Sequence, residues 1–477
     1  MAKPPILILQ LQRMGDTILT FPLVLWLTRR YPGHPVWIVA ERVFYEALMS
    51  VSPAVTYFPW EGTGQLLKER FLLCLNLSHR PEAAELAGRV QAEAVFGTVA
   101  RPDGARYVHG FFQLYRAALT HCNRHNRLHW ADMNALDVVS ADDLRSTHWP
   151  LPRTLGKDSR AVGLFVGASE RAKRPDPVFW AALSDDLHGR GFRPVLFGGP
   201  GERELAAEVQ RRARCRVLNQ AGRLGLGELA AVGQALQLMI TPDTGPMHLA
   251  AWTGTKVLNL SMGPVNPWET GPYQPGHYVL RAARSCVGCW ECDRFGSGGH
   301  GESMPCHEAF VPSRVALLAS LLARGRSGDL ERLRLPGGRL LLTGRDDDGL
   351  YALRPVIGAV PGARELVSRL WSAFFGWRAG LWDRVRPAAD ARALLQERPA
   401  LAMVLRRVLP HFGRELRLSL AGKTATLDRN FWRAVPPLAR PLSSWLHLFL
   451  QNADYSLHSR RESLEMLEAL SALLTDS

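Results

Sequence analysis

Residues 238–251 constrain the fold of this chain more than any other stretch, and they read Leu-Met-Ile-Thr-Pro-Asp-Thr-Gly-Pro-Met-His-Leu-Ala-Ala. The apolar run at 236–240 is typical of a buried strand, Asp243-Thr244-Gly245 is typical of a tight turn, and an apolar helix is predicted to follow. A strand that turns directly into a helix points unpaired N–H groups and the positive end of the helix dipole at one spot. We therefore predict a site for a phosphate or diphosphate at this turn. The alternative is a helix cap at Asp243 or Thr244, with His248 packed against the strand.

Length and composition limit the class of protein. A chain of 477 residues is too long for one hydrophobic core, and its hydrophobic fraction of 47% and charged fraction of 21% are ordinary for globular proteins. No apolar run approaches the ~20 residues that span a bilayer, and the N-terminus lacks the features of a secretory signal, so we expect a cytoplasmic protein. The excess of 58 Lys and Arg over 44 Asp and Glu favours an anionic partner, such as a nucleotide, a phosphorylated glycolipid, a membrane surface or nucleic acid.

Alternating strand and helix patterns divide the chain into three regions. Strand-like runs at 6–10, 36–39 and 71–75, with a helix at 17–29, predict an α/β domain over residues 1–150. A Pro-rich linker at 146–157 precedes a second set of strands at 161–165, 193–197, 236–240 and 256–260, which predicts an α/β domain over 158–328. Residues 329–477 are predicted to form a mainly helical extension.

Two Rossmann-like α/β domains joined by a short linker are expected to face each other across a cleft. Ligands of open parallel sheets bind beyond the carboxyl ends of the strands, so turns that follow strands are candidates for the cleft wall. Four such turns carry polar groups, and they are Gly15-Asp16, Gly167-Ala168-Ser169 with Lys173, Gly198-Gly199 with Glu202, and Asp243-Thr244-Gly245 with His248.

These turns, in this order and spacing, resemble glycosyltransferase family 9, the ADP-heptose lipopolysaccharide heptosyltransferases, over about residues 6–325. Met14-Gly15-Asp16 and residues 243–251 carry most of the resemblance. It implies a GT-B fold, in which two Rossmann-like domains face a cleft, and an inverting transfer of a sugar from a nucleotide-sugar. It further implies ADP-heptose as the donor, a lipopolysaccharide core at the cytoplasmic membrane face as the acceptor, and no cofactor for catalysis.

The resemblance also implies roles for individual residues. Asp16 matches the family's general base, and Lys173 matches the basic residue that neutralises the donor diphosphate, with Ser169 beside it. Where the family commonly continues Lys-x-Trp-Pro, this chain has Arg174 after Lys173 and then Pro-Asp, so Arg174 is a second candidate for the same role.

The remaining matches concern the donor. Asp243, Thr244, Gly245 and His248 match the family's donor-binding turn, and Glu202 matches a carboxylate that contacts the nucleoside. Simple structural roles are the alternatives, since Asp16 could cap the helix after it and Glu202 could be an ordinary first-turn acid.

Four cysteines lie close together at Cys286, Cys289, Cys292 and Cys306, with His300 and His307 nearby. Two C-x-x-C steps and a fourth thiolate can hold a structural zinc or iron ion, which gives the second domain a Cys-rich loop at 286–306. A loop of free thiols is the alternative.

Aromatic and basic residues alternate in the extension, where Trp371, Phe374, Phe375, Trp377 and Trp382 occur among several arginines. An aromatic and basic amphipathic helix can lie on an anionic membrane, which would give peripheral membrane association. We favour core packing, because aromatics at helical spacing usually face a partner helix.

Three other functions stay open from the sequence. The chain could transfer sugar to a protein acceptor, act as a GT-B sugar-nucleotide epimerase, or be a non-catalytic nucleotide-binding module. Nucleic acid is not expected as a partner, because the chain has no helix-turn-helix, zinc-finger or RNP signature and its basic residues are spread out.

Overall fold

A computed structural model of the chain describes residues 3–120, 122–156, 159–284, 304–358, 361–423, 427 and 429–475. The first domain contains strands β1 (Ile6–Gln10), β2 (Val36–Ala40), β3 (Thr56–Phe58), β4 (Arg70–Asn76), β5 (Gln91–Ala100) and β6 (Arg106–His109). Its helices are α1 (Met14–Ile18), α2 (Phe21–Arg30), α3 (Arg42–Leu48), α4 (Thr63–Leu66), α5 (Pro81–Arg89), α6 (Phe111–Ala118), α7 (Trp130–Ala135) and α8 (Ala141–Arg145).

The first sheet has the strand order β3-β2-β1-β4-β5-β6, and its described pairs are parallel except for β5 with β6. All five residues of β1 are buried, as expected for a central parallel strand covered on both faces. The turn that follows β1 therefore opens at the carboxyl edge of the sheet, where ligands of such sheets bind.

The second domain contains strands β7 (Ala161–Phe165), β8 (Arg193–Phe197), β9 (Leu218–Asn219), β10 (Leu238–Pro242), β11 (Val257–Ser261), β12 (Tyr278–Ala282), β13 (Gly338–Arg345) and β14 (Tyr351–Pro355). Its helices are α9 (Pro177–Gly189), α10 (Arg203–Arg212), α11 (Leu226–Gly233), α12 (Gly245–Trp252), α13 (Pro267–Thr270) and α14 (Pro312–Ala323). The strand order is β14-β13-β12-β11-β10-β7-β8-β9, with β13 antiparallel to both of its neighbours.

The extension is helical from residue 363 onward, and its helices are α15 (Ala363–Arg378), α16 (Val385–Glu397), α17 (Pro399–Leu420), α18 (Arg429–Arg433), α19 (Arg440–Asn452) and α20 (Leu457–Thr475). Short 3₁₀ helices occur at Trp60–Gly62, Asn123–His125, Arg171–Lys173, Pro200–Glu202, His307–Ala309, Ser327–Arg332 and Pro437–Ala439. Among the described helices, none is long and apolar enough to cross a membrane.

The predicted strands at 6–10, 161–165 and 193–197 match β1, β7 and β8, and the predicted α/β class is confirmed. Two boundaries were wrong. The helix predicted at 17–29 is divided into α1 and α2, because Pro22 has no N–H to continue the helical ladder from Ile18. Residues 338–355, assigned to the helical extension, form β13 and β14, which pair with β12 and bury Leu340 and Leu341.

A buried carboxylate joins the two domains. Asp132 on α7 accepts a hydrogen bond from the Tyr273 hydroxyl and another, at 2.8 Å, from the Tyr351 backbone N–H. Arg345 lies 3.8 Å from the same carboxylate. Burial raises the pKa of Asp132 to about 6, while the charge of Arg345 opposes that shift. Asp132 belongs to the first domain, and its three partners belong to three segments of the second domain. These contacts therefore fix how the two domains face each other.

The aromatic residues of α15 pack into the interior. Trp371, Phe374 and Phe375 are fully buried, and the Phe375 ring lies 4.5 Å from the Tyr115 ring of the first domain. These contacts bear out core packing as the role of this helix face. Trp382, further along, instead donates its indole N–H to Asp348 at 2.8 Å.

Truncation of Phe375 tests whether the extension supports the first domain. We expect Phe375→Ala to lower the free energy of unfolding by about 3–5 kcal/mol, because a fully buried ring is lost at the contact with Tyr115. Met403→Ala, at an exposed position of α17, is the control and should change it by less than about 1 kcal/mol. Urea unfolding followed by circular dichroism measures both, and equal small effects would contradict the proposed support.

Candidate functional site

The turns at 14–16 and 243–245, which carry most of the family resemblance, meet across the domain interface. A Cβ atom on Gly15 would lie 3.0 Å from Cδ2 of His248, and one on Gly245 would collide with the Met14 side chain. The N-terminus of α1 therefore rests on the N-terminus of α12. A side chain at either glycine would have to displace His248 or Met14, whereas the nearest backbone atom of the facing turn would lie 3.5 Å from the added Cβ.

Asp16 is the third residue of α1 and is half-buried at this junction. Its Oδ2 atom accepts a hydrogen bond of 3.2 Å from the Arg13 backbone N–H, so the capping alternative is part of its role. Burial raises the pKa of the Asp16 carboxyl, and the positive charge of Arg116 opposes that shift. Among the bonds of the described residues, none involves Oδ1 of Asp16, which is therefore able to accept a proton from a substrate hydroxyl.

Asp243 lies at the turn after β10, and its Oδ2 accepts a 2.6 Å hydrogen bond from the Thr270 hydroxyl. Burial raises the pKa of Asp243 to about 6. The Thr270 bond and the charge of Lys173 oppose this shift, whereas the charge of Asp16 adds to it. The structure thus places Lys173 and Asp16 close enough to Asp243 for their charges to affect its pKa.

Lys173 ends a 3₁₀ helix in the loop after β7, and its side chain is 14% exposed. Its Nζ lies 2.7 Å from Oε1 of Glu170. The charge of Lys173 lowers the pKa of Asp243, so its side chain lies near the α12 turn. This proximity favours Lys173 of the two basic candidates.

The α12 turn keeps its polar groups available. Thr244 is the N-cap residue of α12, but its hydroxyl makes no capping hydrogen bond. The N–H of Gly245, the first residue of α12, has no partner within the helix, whereas Pro246 has no N–H and the Met247 N–H donates to the Thr244 carbonyl oxygen at 3.0 Å. Burial lowers the pKa of His248 to about 4, so this imidazole is neutral, and its Nδ1 has no hydrogen-bond partner among the described residues.

The other two donor-site candidates occupy neighbouring strand ends. Ser169 is exposed in the loop after β7. Glu202 accepts a 2.7 Å hydrogen bond from the Gly199 N–H, and a Cβ on Gly167 would lie 2.7 Å from its carboxyl carbon. Glu202 therefore links the turns after β7 and β8, and the first-turn structural role is the one that its hydrogen bond supports.

Sequence reasoning missed two buried charged residues beside the site. Arg116 on α6 donates to Oδ1 of Asn134 at 2.9 Å, and its charge acts on both Asp16 and Glu269. Glu269 on α13 accepts hydrogen bonds from the side-chain amides of Asn123 and of Asn126, the latter at 2.9 Å. Burial raises the pKa of Glu269 to about 8, and these bonds and the Arg116 charge oppose that shift.

The available signal for Glu269 is the segment Asn-Pro-Trp-Glu-Thr at 266–270, which again follows a buried strand and opens a helix. Arg116 carries no such signal, since it lies in an ordinary amphipathic helix. The Cys-rich loop falls largely outside the described residues, including Cys286, Cys289, Cys292 and His300. Of its described members, Cys306 is buried, and Nε2 of His307 lies 3.1 Å from the Ala172 carbonyl oxygen beside Lys173.

Comparisons with known proteins agree with this arrangement. Residues 124–295 match the family model of glycosyltransferase family 9 (heptosyltransferase). A lipopolysaccharide core heptosyltransferase of Haemophilus influenzae is 31% identical over 96 residues, which cover 20% of this chain and 27% of that protein. Lipopolysaccharide heptosyltransferase 2 of Escherichia coli is 30% identical over 135 residues, which cover 27% of this chain and 38% of that protein. These sequence matches thus span well under half of each curated relative.

Solved structures agree over a longer range. A glycosyltransferase family 9 protein from Veillonella parvula has 21% identity and a TM-score of 0.52, covering 68% of this chain and 98% of that chain. The ADP-heptose lipopolysaccharide heptosyltransferase II of E. coli has 19% identity and a TM-score of 0.50, covering 68% of this chain and 99% of that chain. Two facing α/β domains with a turn-lined cleft define a GT-B fold. Residues 124–295 of the chain are thus similar to glycosyltransferase family 9, and the fold is that of solved proteins of this family.

The raised pKa of Glu269 predicts a pH-dependent contribution to stability. The pKa of Glu269 is about 8 in the folded chain, whereas that of an ordinary glutamate in water is 4.5. Between pH 4.5 and pH 8 the folded chain therefore keeps a proton on Glu269 that the unfolded chain has released. This group therefore lowers the free energy of unfolding by roughly 1.4 kcal/mol per pH unit as pH rises through that window.

Glu269→Gln should remove that slope, whatever its effect on absolute stability. The measurement is denaturant unfolding at several pH values, and the readout is the difference in slope between variant and parent. Glu93→Gln, at an exposed position of β5, is the matched control and should keep the parental slope. Identical slopes in the Glu269→Gln variant and the parent would contradict a protonated Glu269.

Proposed function

We propose that this chain is an inverting glycosyltransferase that transfers heptose from ADP-heptose to a lipopolysaccharide core. The observation that carries the proposal is the contact of α1 with α12, since it sets a carboxylate with a raised pKa opposite an anion-binding turn. The match of residues 124–295 to family 9 and the names of the relatives support the choice of sugar and acceptor.

In this mechanism Asp16 is the general base. Its carboxylate takes the proton of the acceptor hydroxyl while that oxygen forms a bond to the anomeric carbon of the donor. The bond from the anomeric carbon to the diphosphate breaks on the opposite face, and the electron pair leaves with the nucleoside diphosphate. A single displacement of this kind inverts the anomeric centre.

The leaving group carries growing negative charge, and the α12 turn faces it. Lys173 supplies a cation, Thr244 supplies a hydroxyl, and Gly245 supplies the first N–H at the positive end of the helix dipole. Neutral His248 can donate from one ring nitrogen to a phosphate or sugar oxygen. Since these groups stabilise the leaving diphosphate, we expect catalysis to require no cofactor.

Location follows from the acceptor and the charge. We expect the chain to act in the cytoplasm and to associate peripherally with the membrane face that holds a lipid-linked acceptor. Its net charge of +14 attracts the phosphates and acidic sugars of such an acceptor.

Replacement of Asp16 by Asn separates base catalysis from helix capping. The Asn side-chain oxygen can still accept the bond from the Arg13 N–H, so α1 should be preserved. We expect turnover to fall by about 10²–10⁴-fold with the affinity for ADP-heptose nearly unchanged. Release of ADP with a core acceptor gives the rate, and isothermal titration gives the affinity.

Asp103→Asn is the matched control, because Asp103 is an exposed carboxylate that also accepts a backbone N–H, from Ala105. It should leave both quantities unchanged. Turnover of Asp16→Asn within tenfold of the parent would exclude Asp16 as the base. A free sugar or an epimerised nucleotide-sugar formed without acceptor would favour the epimerase alternative.

Lys173 and Arg174 can be separated by paired substitutions. Lys173→Ala should weaken ADP-heptose binding by about tenfold or more, because a charge-assisted contact to the diphosphate is lost. Arg174→Ala should change the affinity by less than about threefold, because the charge that acts at the donor turn is the one of Lys173. Isothermal titration of both variants decides the question, and a larger loss in Arg174→Ala would reverse the assignment.

A further inference from the structure

A cavity of about 510 Å³ lies where the first domain, the second domain and the extension meet. Residues 124–127 form one wall, Asn266, Trp268 and the end of β12 form another, and the first turns of α15 close a third. Helix α13 separates this cavity from the Asp16–Asp243 site, since Thr270 binds Asp243 while Trp268 lines the cavity. The cavity is within the size range of pockets that hold small organic ligands.

Its lining is strongly basic. Six arginines contribute to it, and they are Arg124, Arg127, Arg281, Arg284, Arg339 and Arg364. Glu365 is the acidic residue among the described lining residues, and it lies 3.5 Å from Arg127 and 3.2 Å from Arg339. Glu308, outside the lining, pairs with Arg284 at 2.5 Å. The described carboxylates close to the cavity are thus fewer than its guanidinium groups.

Two of these arginines stand directly opposite each other in the second sheet. Arg281 on β12 is the register partner of Arg339 on the antiparallel strand β13, so both side chains emerge on the same face. Like charges at such positions destabilise a sheet. Burial and the charges of Arg364 and Arg339 lower the pKa of Arg281 to about 9, while the charge of Glu269 opposes that shift. The hydrogen bond that Arg281 donates to Oδ1 of Asn266 is a long one, at 3.4 Å.

Like charges that lie close together destabilise the free protein, and a bound ligand of opposite charge would neutralise them. An anionic ligand therefore explains why the arginines are clustered here. A guanidinium group binds two oxygens of a phosphate or of a carboxylate at once, and a phosphate has more oxygens and more charge, so it is the better partner for two neighbouring arginines. The lining also includes apolar side chains, among them Leu341, Leu353 and Leu401. A bare inorganic ion would leave these apolar groups without contact, whereas a phosphate attached to an organic body would contact both kinds of lining.

We propose that this cavity is a second ligand site, built by all three regions of the chain, that binds a phosphorylated sugar through Arg281 and Arg339. The site is separate from the donor turn, and the phosphosugar is either a free molecule or one unit of a larger glycan. The proposal does not depend on the transfer reaction, because its primary test is binding without turnover.

The test is isothermal titration of the full chain with glucose 6-phosphate, together with thermal unfolding. We expect Arg281→Gln to weaken binding of glucose 6-phosphate by about tenfold or more, because a charge-assisted contact is lost. The same variant should unfold at a higher temperature than the parent when no ligand is present, because the repulsion with Arg339 is relieved. A merely structural arginine would show the opposite change in unfolding temperature.

Two further variants keep the proposal testable if Arg281→Gln folds poorly. Arg339→Lys retains the charge beside Glu365 but loses the two-pronged donor, and it should weaken binding severalfold. Arg314→Gln, at an exposed position of α14, is the matched control and should change nothing. Lys173→Ala should bind glucose 6-phosphate as the parent does, which separates this site from the donor site.

Several results would overturn the proposal. They are no binding of glucose 6-phosphate to the parent at millimolar concentration, equal binding by the parent and Arg339→Lys, or loss of binding in Lys173→Ala. Equal affinity for inorganic phosphate and glucose 6-phosphate would overturn the assignment to a sugar. If binding is established, competition with the core acceptor in the transfer assay indicates a unit of a glycan, and its absence indicates a free phosphosugar.

Discussion

Buried carboxyl groups at the domain interface are the constraint on which the rest of this structure depends. The carboxyl groups of Asp132 and Glu269 lie out of water, and each receives its hydrogen bonds from the opposite domain. A buried carboxyl group that loses a donor is less stable than a hydrogen-bonded one, so the domains cannot slide without an energetic penalty. The cleft geometry is therefore set by polar contacts with defined directions, whereas apolar packing alone would permit small shifts.

The candidate site exists because this fixed geometry brings two glycine-containing turns into close contact. With Gly15 against His248 and Met14 against Gly245, the base of one domain and the anion-binding turn of the other share a small volume. Burial in that volume raises the pKa of both Asp16 and Asp243, and the charges of Arg116 and Lys173 act in the opposite direction. The balance between desolvation and these cations keeps Asp16 able to act as a base while a diphosphate lies near it.

Sequence patterns predicted the parts of this arrangement that are local. The turns at Asp16 and Asp243 each lie within ten residues of a buried strand, so hydrophobic runs and turn residues were enough to find them. Arg116, Glu269 and the Arg281–Arg339 pair were not predictable in this way. The role of each depends on a partner that lies on another helix or strand. Composition and spacing do not show which elements become neighbours in the fold. Strand β13 was missed for the same reason, because its short apolar run is interpretable as a strand only once β12 is known to lie beside it.

Helix α13 shows how closely the three regions depend on one another. Its four residues and their N-cap Asn266 make contacts in several directions within one turn. Thr270 binds Asp243, Glu269 binds the segment at 123–126, and Asn266 donates to the carbonyl oxygens of Asn123 and Asn126. Glu365 of the extension reaches the same junction through Arg127 and Arg339. Because a single turn of helix cannot bend between such contacts, the placement of Asp243 depends on residues of the extension as well as on its own strand.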